Sequence, residues 1–160
     1  MDRTPAQASI VVGLGGYPHD RNVLTAALRQ AAYSGARLHV VRALGLFGVL
    51  EDTEPEVPLR EQPAAGTADA VAVRRRVQWQ VEQVAAVVAP GVEVDYEVRR
   101  GDPATNLLAA AADGGTMIVL GTRNDDSMPA LMLGKVSQDV AVHADCLVLL
   151  VPPPERPRRG

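Results

Sequence analysis

The stretch "ASIVVGLGGYPHDRNVLTAALRQAAYSGARLHVVRAL" (Ala8 to Leu44) decides the fold. "ASIVVGL" (Ala8 to Leu14) is short, apolar and β-branched and stops at Gly15-Gly16, the pattern of a buried strand. From Asp20 onward Leu24, Ala27, Leu28, Ala31 and Ala32 recur at spacings of three and four, which predicts a helix ending near Ser34-Gly35. "RLHVVRAL" (Arg37 to Leu44) is a second strand. The three segments form a βαβ unit, which implies parallel pairing and a right-handed crossover.

The same alternation continues downstream. Val77, Val81, Val84 and Val88 mark one stripe of a second helix ending at Pro90-Gly91. "VEVDYEVR" (Val92 to Arg99) alternates apolar and polar residues, as a strand at a sheet edge does. In "GDPATNLLAAAADGG" Asp102 is an N-cap and Pro103 takes the first helical position, where its missing N–H costs nothing. "TMIVLG" (Thr116 to Gly121) is a fourth strand, a fourth helix ends around Ala144, and "CLVLLV" (Cys146 to Val151) is a fifth strand. Five strands alternating with four helices predict a single open, doubly wound α/β sheet. Ligands of such sheets sit beyond the carboxyl ends of the strands, where strand order reverses.

Composition bounds the function. The 160 residues are enough for one domain, and 47% apolar content supplies its core. With 3% aromatic residues, that core rests on Val, Leu and Ala, and an extended base-stacking platform is not expected. Arg74 to Arg76 and Arg156 to Arg159 are the basic clusters on a chain of net charge −3, so no nucleic-acid footprint is expected. No run approaches the roughly 20 apolar residues of a membrane helix, and "MDRTPAQAS" lacks a signal core, so the expectation is a cytoplasmic protein without membrane contact. The single Cys146 fits a reducing compartment and reads as a buried, inert thiol. His19, His39 and His143 fall in different elements and read as structural or surface residues rather than metal ligands. Residues 1–7 are expected to be flexible, 8–151 to form the domain, and the Pro- and Arg-rich 152–160 to be disordered. The Pro-rich, acidic segment from Gly45 to Gly66 reads as a long mobile loop near the strand ends, a lid or partner-binding segment.

Two phosphate-loop readings fail. "GLGGYP" (Gly13 to Pro18) places proline at the third glycine of a dinucleotide fingerprint, and Gly134-Lys135 lacks the opening glycine and the hydroxyl of a Walker A loop. A third reading covers almost the whole chain. "IVVGLGG", "GDPATNLLAAAA" and "VLGTRN" followed by "LMLGKVSQDVAVHADCLVLLV" closely resemble the universal stress protein (UspA-like) family. That resemblance implies an adenine nucleotide alpha hydrolase-like sheet with strand order 3-2-1-4-5. Nucleotide-binding members carry a glycine, two residues, a second glycine, nine residues, a third glycine and then Ser or Thr. Those positions here are Gly121, Asn124, Gly134 and Lys135, with the spacing intact.

The resemblance implies adenine beside Ala43 and Gly13, with ribose and phosphates at Leu120, Gly121, Gly134, Val136 and Ser137. Mg2+ would enter only with the nucleotide. Three departures imply weak or lost ATP binding: Gly15, where ATP-binding members usually carry aspartate, Asn124 and Lys135. A carboxylate lost at Gly15 removes charge-assisted hydrogen bonds of about 1.5–3 kcal/mol, roughly ten- to hundredfold in affinity. Asn124 tolerates left-handed backbone, and Lys135 adds a cation near a helix N-terminus. Gly15→Asp with Asn124→Gly and Lys135→Ser is therefore expected to tighten ATP binding, Gly15→Asp contributing most. Nothing pairs a nucleophile with a base, so the expected role is binding and association rather than catalysis, with slow ATP hydrolysis by a competent nucleotide site as the alternative. The resemblance also places the apolar strand Cys146 to Val151 at a sheet edge, where it is expected to pair with a second copy in a homodimer.

Overall fold

A computed structural model describes residues 7–44, 67–122 and 132–154. The loop from Gly45 to Gly66, Asn124, residues 1–6 and residues 155–160 lie outside the described residues.

The strands are β1 (Ser9–Gly13), β2 (Arg37–Leu44), β3 (Val94–Arg100), β4 (Gly115–Gly121) and β5 (Leu147–Val151). The helices are α1 (Asp20–Ser34), α2 (Thr67–Val88), α3 (Pro103–Ala112) and α4 (Lys135–His143). All pairings are parallel and the order is β3-β2-β1-β4-β5. The reversal falls between β1 and β4, so the carboxyl ends of β1, β2 and β4 open the crevice that this topology provides.

Period-two alternation divides the core. Ile10, Val12 and Leu14 join Leu38, Val40 and Val119 under α1 and α2, whereas Val11 joins Val41, Ile118 and Leu120 under α3 and α4. β1 is therefore buried on both faces, which is why it reads as a continuous apolar run. α1 presents Leu24, Ala27, Leu28 and Ala31, all fully buried, and the two alanines let the helix approach the sheet. It stops at Gly35, whose φ of 66° is left-handed backbone that glycine adopts without a Cβ penalty. In α2, Val77, Val81 and Val84 are buried and Val88 packs half-buried against the same cluster.

At the start of α3 the Asp102 carboxylate accepts from the Thr105 N–H and hydroxyl, each at 2.9 Å, and Pro103 follows at N1. The Thr105 N–H is the first cause holding the Asp102 carboxyl below its ordinary value. β3 lies at the edge, and the polar residues of its alternation face polar residues of β2. Arg37 pairs with Asp95 at 2.7 Å, while His39 and Arg99 both contact Glu97, the His39 bond being 2.8 Å. His39 is thus a structural residue of the β2–β3 face.

β5 forms the other edge. Leu147 is exposed, Val148 through Val151 are half-buried, and β4 is its partner. Burial of Cys146 is only partial, because it precedes β5 rather than lying within it. Burial, then neighbouring Asp145, raises its thiol pKa. Among the described residues no helix is long and apolar enough to cross a membrane.

Candidate functional site

One cleft opens at the carboxyl ends of β1, β2 and β4, with about 100 Å³ of solvent space. That is several times what one water requires. Gly13, Ala43, Leu120, Gly121, Val136 and Ser137 all line it. Six of the seven positions implied by the family resemblance therefore converge, although the sequence separates them by up to 124 residues. Gly134, the seventh, stands just behind the wall. It occupies the N-cap of α4 and donates its N–H to the Thr122 carbonyl at 2.7 Å.

Each wall has a local cause. The Ser137 hydroxyl, buried, donates to the Gly121 carbonyl at 2.6 Å and fastens the first turn of α4 to the end of β4. The first intrahelical bond of α4 runs from the Gln138 N–H to the Gly134 carbonyl, so the N–H groups of residues 135–137 have no acceptor in the helix. With Val136 and Ser137 in the wall, this helix terminus gives the cleft an electropositive end suited to phosphate. Val41, Leu107 and Leu120 add apolar wall, and Val136 packs against the same cluster. Leu107 is buried against Gly13, and a Cβ at residue 13 would lie 2.9 Å from its Cδ1. Glycine at 13 is what admits the leucine.

The β1–α1 turn brings Tyr17 and Asp20 to the cleft and β2 brings Arg42, none of which the sequence marked as a site residue. The Asp20 carboxylate, buried, accepts from the Gly15 N–H at 3.2 Å and the Gly16 N–H at 2.8 Å. Burial raises its pKa; the Gly16 and Gly15 N–H groups and the Arg42 charge act in the opposite direction. Arg42 is also buried and donates to the Leu14 carbonyl at 3.3 Å. Gly16 has φ +82°, and a Cβ there would lie 2.6 Å from the Arg42 guanidinium. The sequence carries only an arginine among the apolar residues Val40 to Leu44 and an aspartate four residues after a diglycine, and neither marks the arrangement alone. His19, read from sequence as structural or surface, lines the cleft.

The structure corrects two further expectations. Gly15 lines the cleft, but a side chain there would overlap the ring of Tyr17 at Cδ2 and Cε2. Gly15→Asp consequently does not slot a carboxylate into an otherwise intact frame. Lys135 does not line the cleft. Its side chain is 83% exposed and its ammonium donates to Asp139 at 2.6 Å, the i,i+4 contact that raises its pKa. Asn124 lies outside the described residues. Among those residues no group of three or more His, Cys, Asp or Glu is placed to hold a metal ion.

Comparison with known proteins gives the family and agrees with the fold. The model of the universal stress protein family matches residues 8–152. The chain belongs to that family. A relative from Thermus aquaticus, "Universal stress protein in QAH/OAS sulfhydrylase 3'region", is 31% identical over 144 residues, covering 89% of this chain and 97% of its own. The universal stress protein UspA from Lactobacillus plantarum superposes with a TM-score of 0.66 at 20% identity, covering 92% of this chain and 99% of its own. The universal stress protein from Archaeoglobus fulgidus in complex with dAMP has a TM-score of 0.63 at 19% identity, covering 90% and 97%.

Proposed function

We propose that this universal stress protein acts as a dimeric regulatory protein of the stress response, binding an adenine nucleotide weakly and working through association rather than catalysis. The observation that carries the reading is the convergence of the six family positions on one cleft walled by apolar residues and a helix N-terminus. The residues fit an adenine nucleotide in kind. Ala43, Gly13, Val41 and Leu107 would hold the base, while Gly121 and the first-turn N–H groups at Val136 and Ser137 would hold phosphate. Mg2+ would come with the phosphates. Weakness follows from Gly15, which brings no carboxylate, and from Lys135, which points its charge at Asp139 rather than into the cleft. The dAMP complex of the Archaeoglobus fulgidus relative supports the ligand class.

Calorimetric titration with Mg·ATP and with AMP tests the reading. Saturable one-site binding that falls at least fivefold when Val136 is replaced by proline, which removes one N–H at the phosphate end, is the expected result. Heats indistinguishable from dilution would refute it. Asp20 favours a second reading, a competent ATP site with slow hydrolysis, because it returns a carboxylate to the cleft wall beside Gly15. Phosphate release by rigorously purified protein, lost in the same Val136 variant, would select that reading.

Association is proposed through β5. Its outer edge has no partner strand among the described residues, and Leu147, 68% exposed, and Val142, 77% exposed, present apolar surface nearby. An antiparallel pairing with a second copy would complete the sheet edge and bury that surface. Light scattering at micromolar concentration should give twice the 16.9 kDa of one chain. The Val151 carbonyl accepts from Thr122 at the end of β4, so by alternation Leu150 turns its N–H to the outer edge, and a Leu150→Pro variant should shift toward the monomer. A wild-type monomer would contradict the proposal.

A further inference from the structure

Gly15 exposes bare backbone to the cleft, Gly16 follows it in the turn, and a planar group lies against each of them. The Tyr17 ring occupies the space of a side chain at 15, touching it with the Cδ2–Cε2 edge rather than with a face. The Arg42 guanidinium lies beside Gly16, with Nη2, Nη1 and Cζ at 2.6, 2.9 and 3.0 Å from the Cβ position, so its nitrogen edge leads. Both groups line the cleft, and Asp20 fixes the turn that carries Tyr17 by holding the two glycine N–H groups. Where the family resemblance implies a carboxylate at 15, this wall holds the Tyr17 ring, and the Asp20 carboxylate beside it is taken up by the two glycine N–H groups.

A carboxylate and an aromatic wall recognise different parts of a nucleotide. Carboxylate oxygens accept from ribose hydroxyls, and two such bonds make the site sensitive to the sugar. An aromatic face or a guanidinium stacks on a planar ring and is indifferent to sugar hydroxyls. Gly15 and Tyr17 therefore work as a pair: the absent side chain at 15 is the room that the ring requires.

We propose that Tyr17 is a specificity-determining residue of the cleft, stacking on the planar ring of a purine nucleotide and replacing recognition of the ribose, so that ribo- and deoxyribonucleotides bind alike. The proposal rests on the nucleotide reading of the cleft and goes beyond it by naming the part of the ligand that is read. Tyr17 touches the ring system and Arg42 lines the same cleft, while the N–H groups assigned to phosphate come from another element, α4.

Calorimetry with ATP, dATP and inorganic tripolyphosphate on wild type, Tyr17→Phe, Tyr17→Ala and Gly15→Asp separates the outcomes. ATP and dATP should bind wild type within about threefold of each other. Tyr17→Phe should retain wild-type affinity, and Tyr17→Ala should weaken ATP by roughly five- to a hundredfold, as expected for loss of one base–aromatic stack. Gly15→Asp, which displaces the ring, should also weaken ATP. Tripolyphosphate binding should be unchanged in every variant, which a general collapse of the turn would not allow. Equal ATP affinity in Tyr17→Ala and wild type, tighter ATP binding by Gly15→Asp, or a tenfold preference of wild type for ATP over dATP would each overturn the proposal while leaving the nucleotide reading in place. Absence of ATP and dATP binding to wild type would overturn both.

Discussion

Asp20→Ala should cost about 3 kcal/mol of folding stability at neutral pH, a loss set mainly by what the carboxylate leaves behind. The Gly15 and Gly16 N–H groups would lose a charged acceptor inside the cleft wall, and the buried Arg42 would lose a neighbouring negative charge. For a chain of this length that corresponds to roughly 6–12 °C in Tm. The pH dependence follows from the raised pKa of Asp20, caused first by its burial. A carboxyl with a folded pKa above its unfolded value gives its full stabilisation below the unfolded value, near 3.8, and loses part of it as pH rises through the folded value. The stability gap between wild type and Asp20→Ala should therefore be widest near pH 4 and narrow toward pH 7. Asp20→Asn keeps one acceptor and does not titrate, so its cost should be smaller and its own contribution flat with pH. Urea unfolding of the three proteins at several pH values measures this. A gap that widens as pH rises, or an Asp20→Ala midpoint equal to wild type, would refute the account.

Asp20 also marks where the sequence stops being legible. The strands were readable because burial on two faces leaves a continuous run, as at Ile10 to Val12, and burial on one face leaves alternation, as in β3. The α3 start was readable because Asp102 caps within three residues of itself, a local event. The cleft positions came from the family resemblance, carried over residue by residue, and the fold brings six of the seven together. Tyr17, Asp20 and Arg42 gave no comparable signal. Asp20 resembles any first residue of a helix, and its fold-back onto Gly15 and Gly16 depends on the left-handed φ at Gly16, which the sequence permits but does not impose. Arg42 reaches the same turn only because β2 pairs with β1 in one register, Gly13 opposite Val41. The direction of Lys135 was open to local reasoning: Asp139 stands four residues on, within helical reach.

In the apolar wall of the cleft, Leu107→Ala should cost about 2–4 kcal/mol, in the range for truncating a buried leucine whose surroundings relax only in part. Leu107 is 4% exposed and belongs to the cluster of Val11, Val41, Ile118 and Leu120 beneath α3 and α4. Its tip rests on Gly13, and that contact gives the prediction a second arm. Gly13→Ala alone sets a methyl 2.9 and 3.0 Å from the Leu107 Cδ atoms, so the leucine must shift, at about 1–3 kcal/mol for overpacking. Together the two changes should compensate, because the new methyl enters space that the truncated leucine vacates. Gly13 ends a strand and is not among the left-handed glycines, so alanine brings no backbone strain. The double variant should be more stable than the sum of the single losses predicts by about 1 kcal/mol or more. Chemical denaturation of the four proteins closes the cycle. Strict additivity would mean that α3 moves away from Gly13 instead of pressing on it. Leu107→Ala should also widen the end of the cleft assigned to the base, and a bulky C8-substituted adenine nucleotide should then gain affinity relative to ATP, which the compensated double variant should reverse.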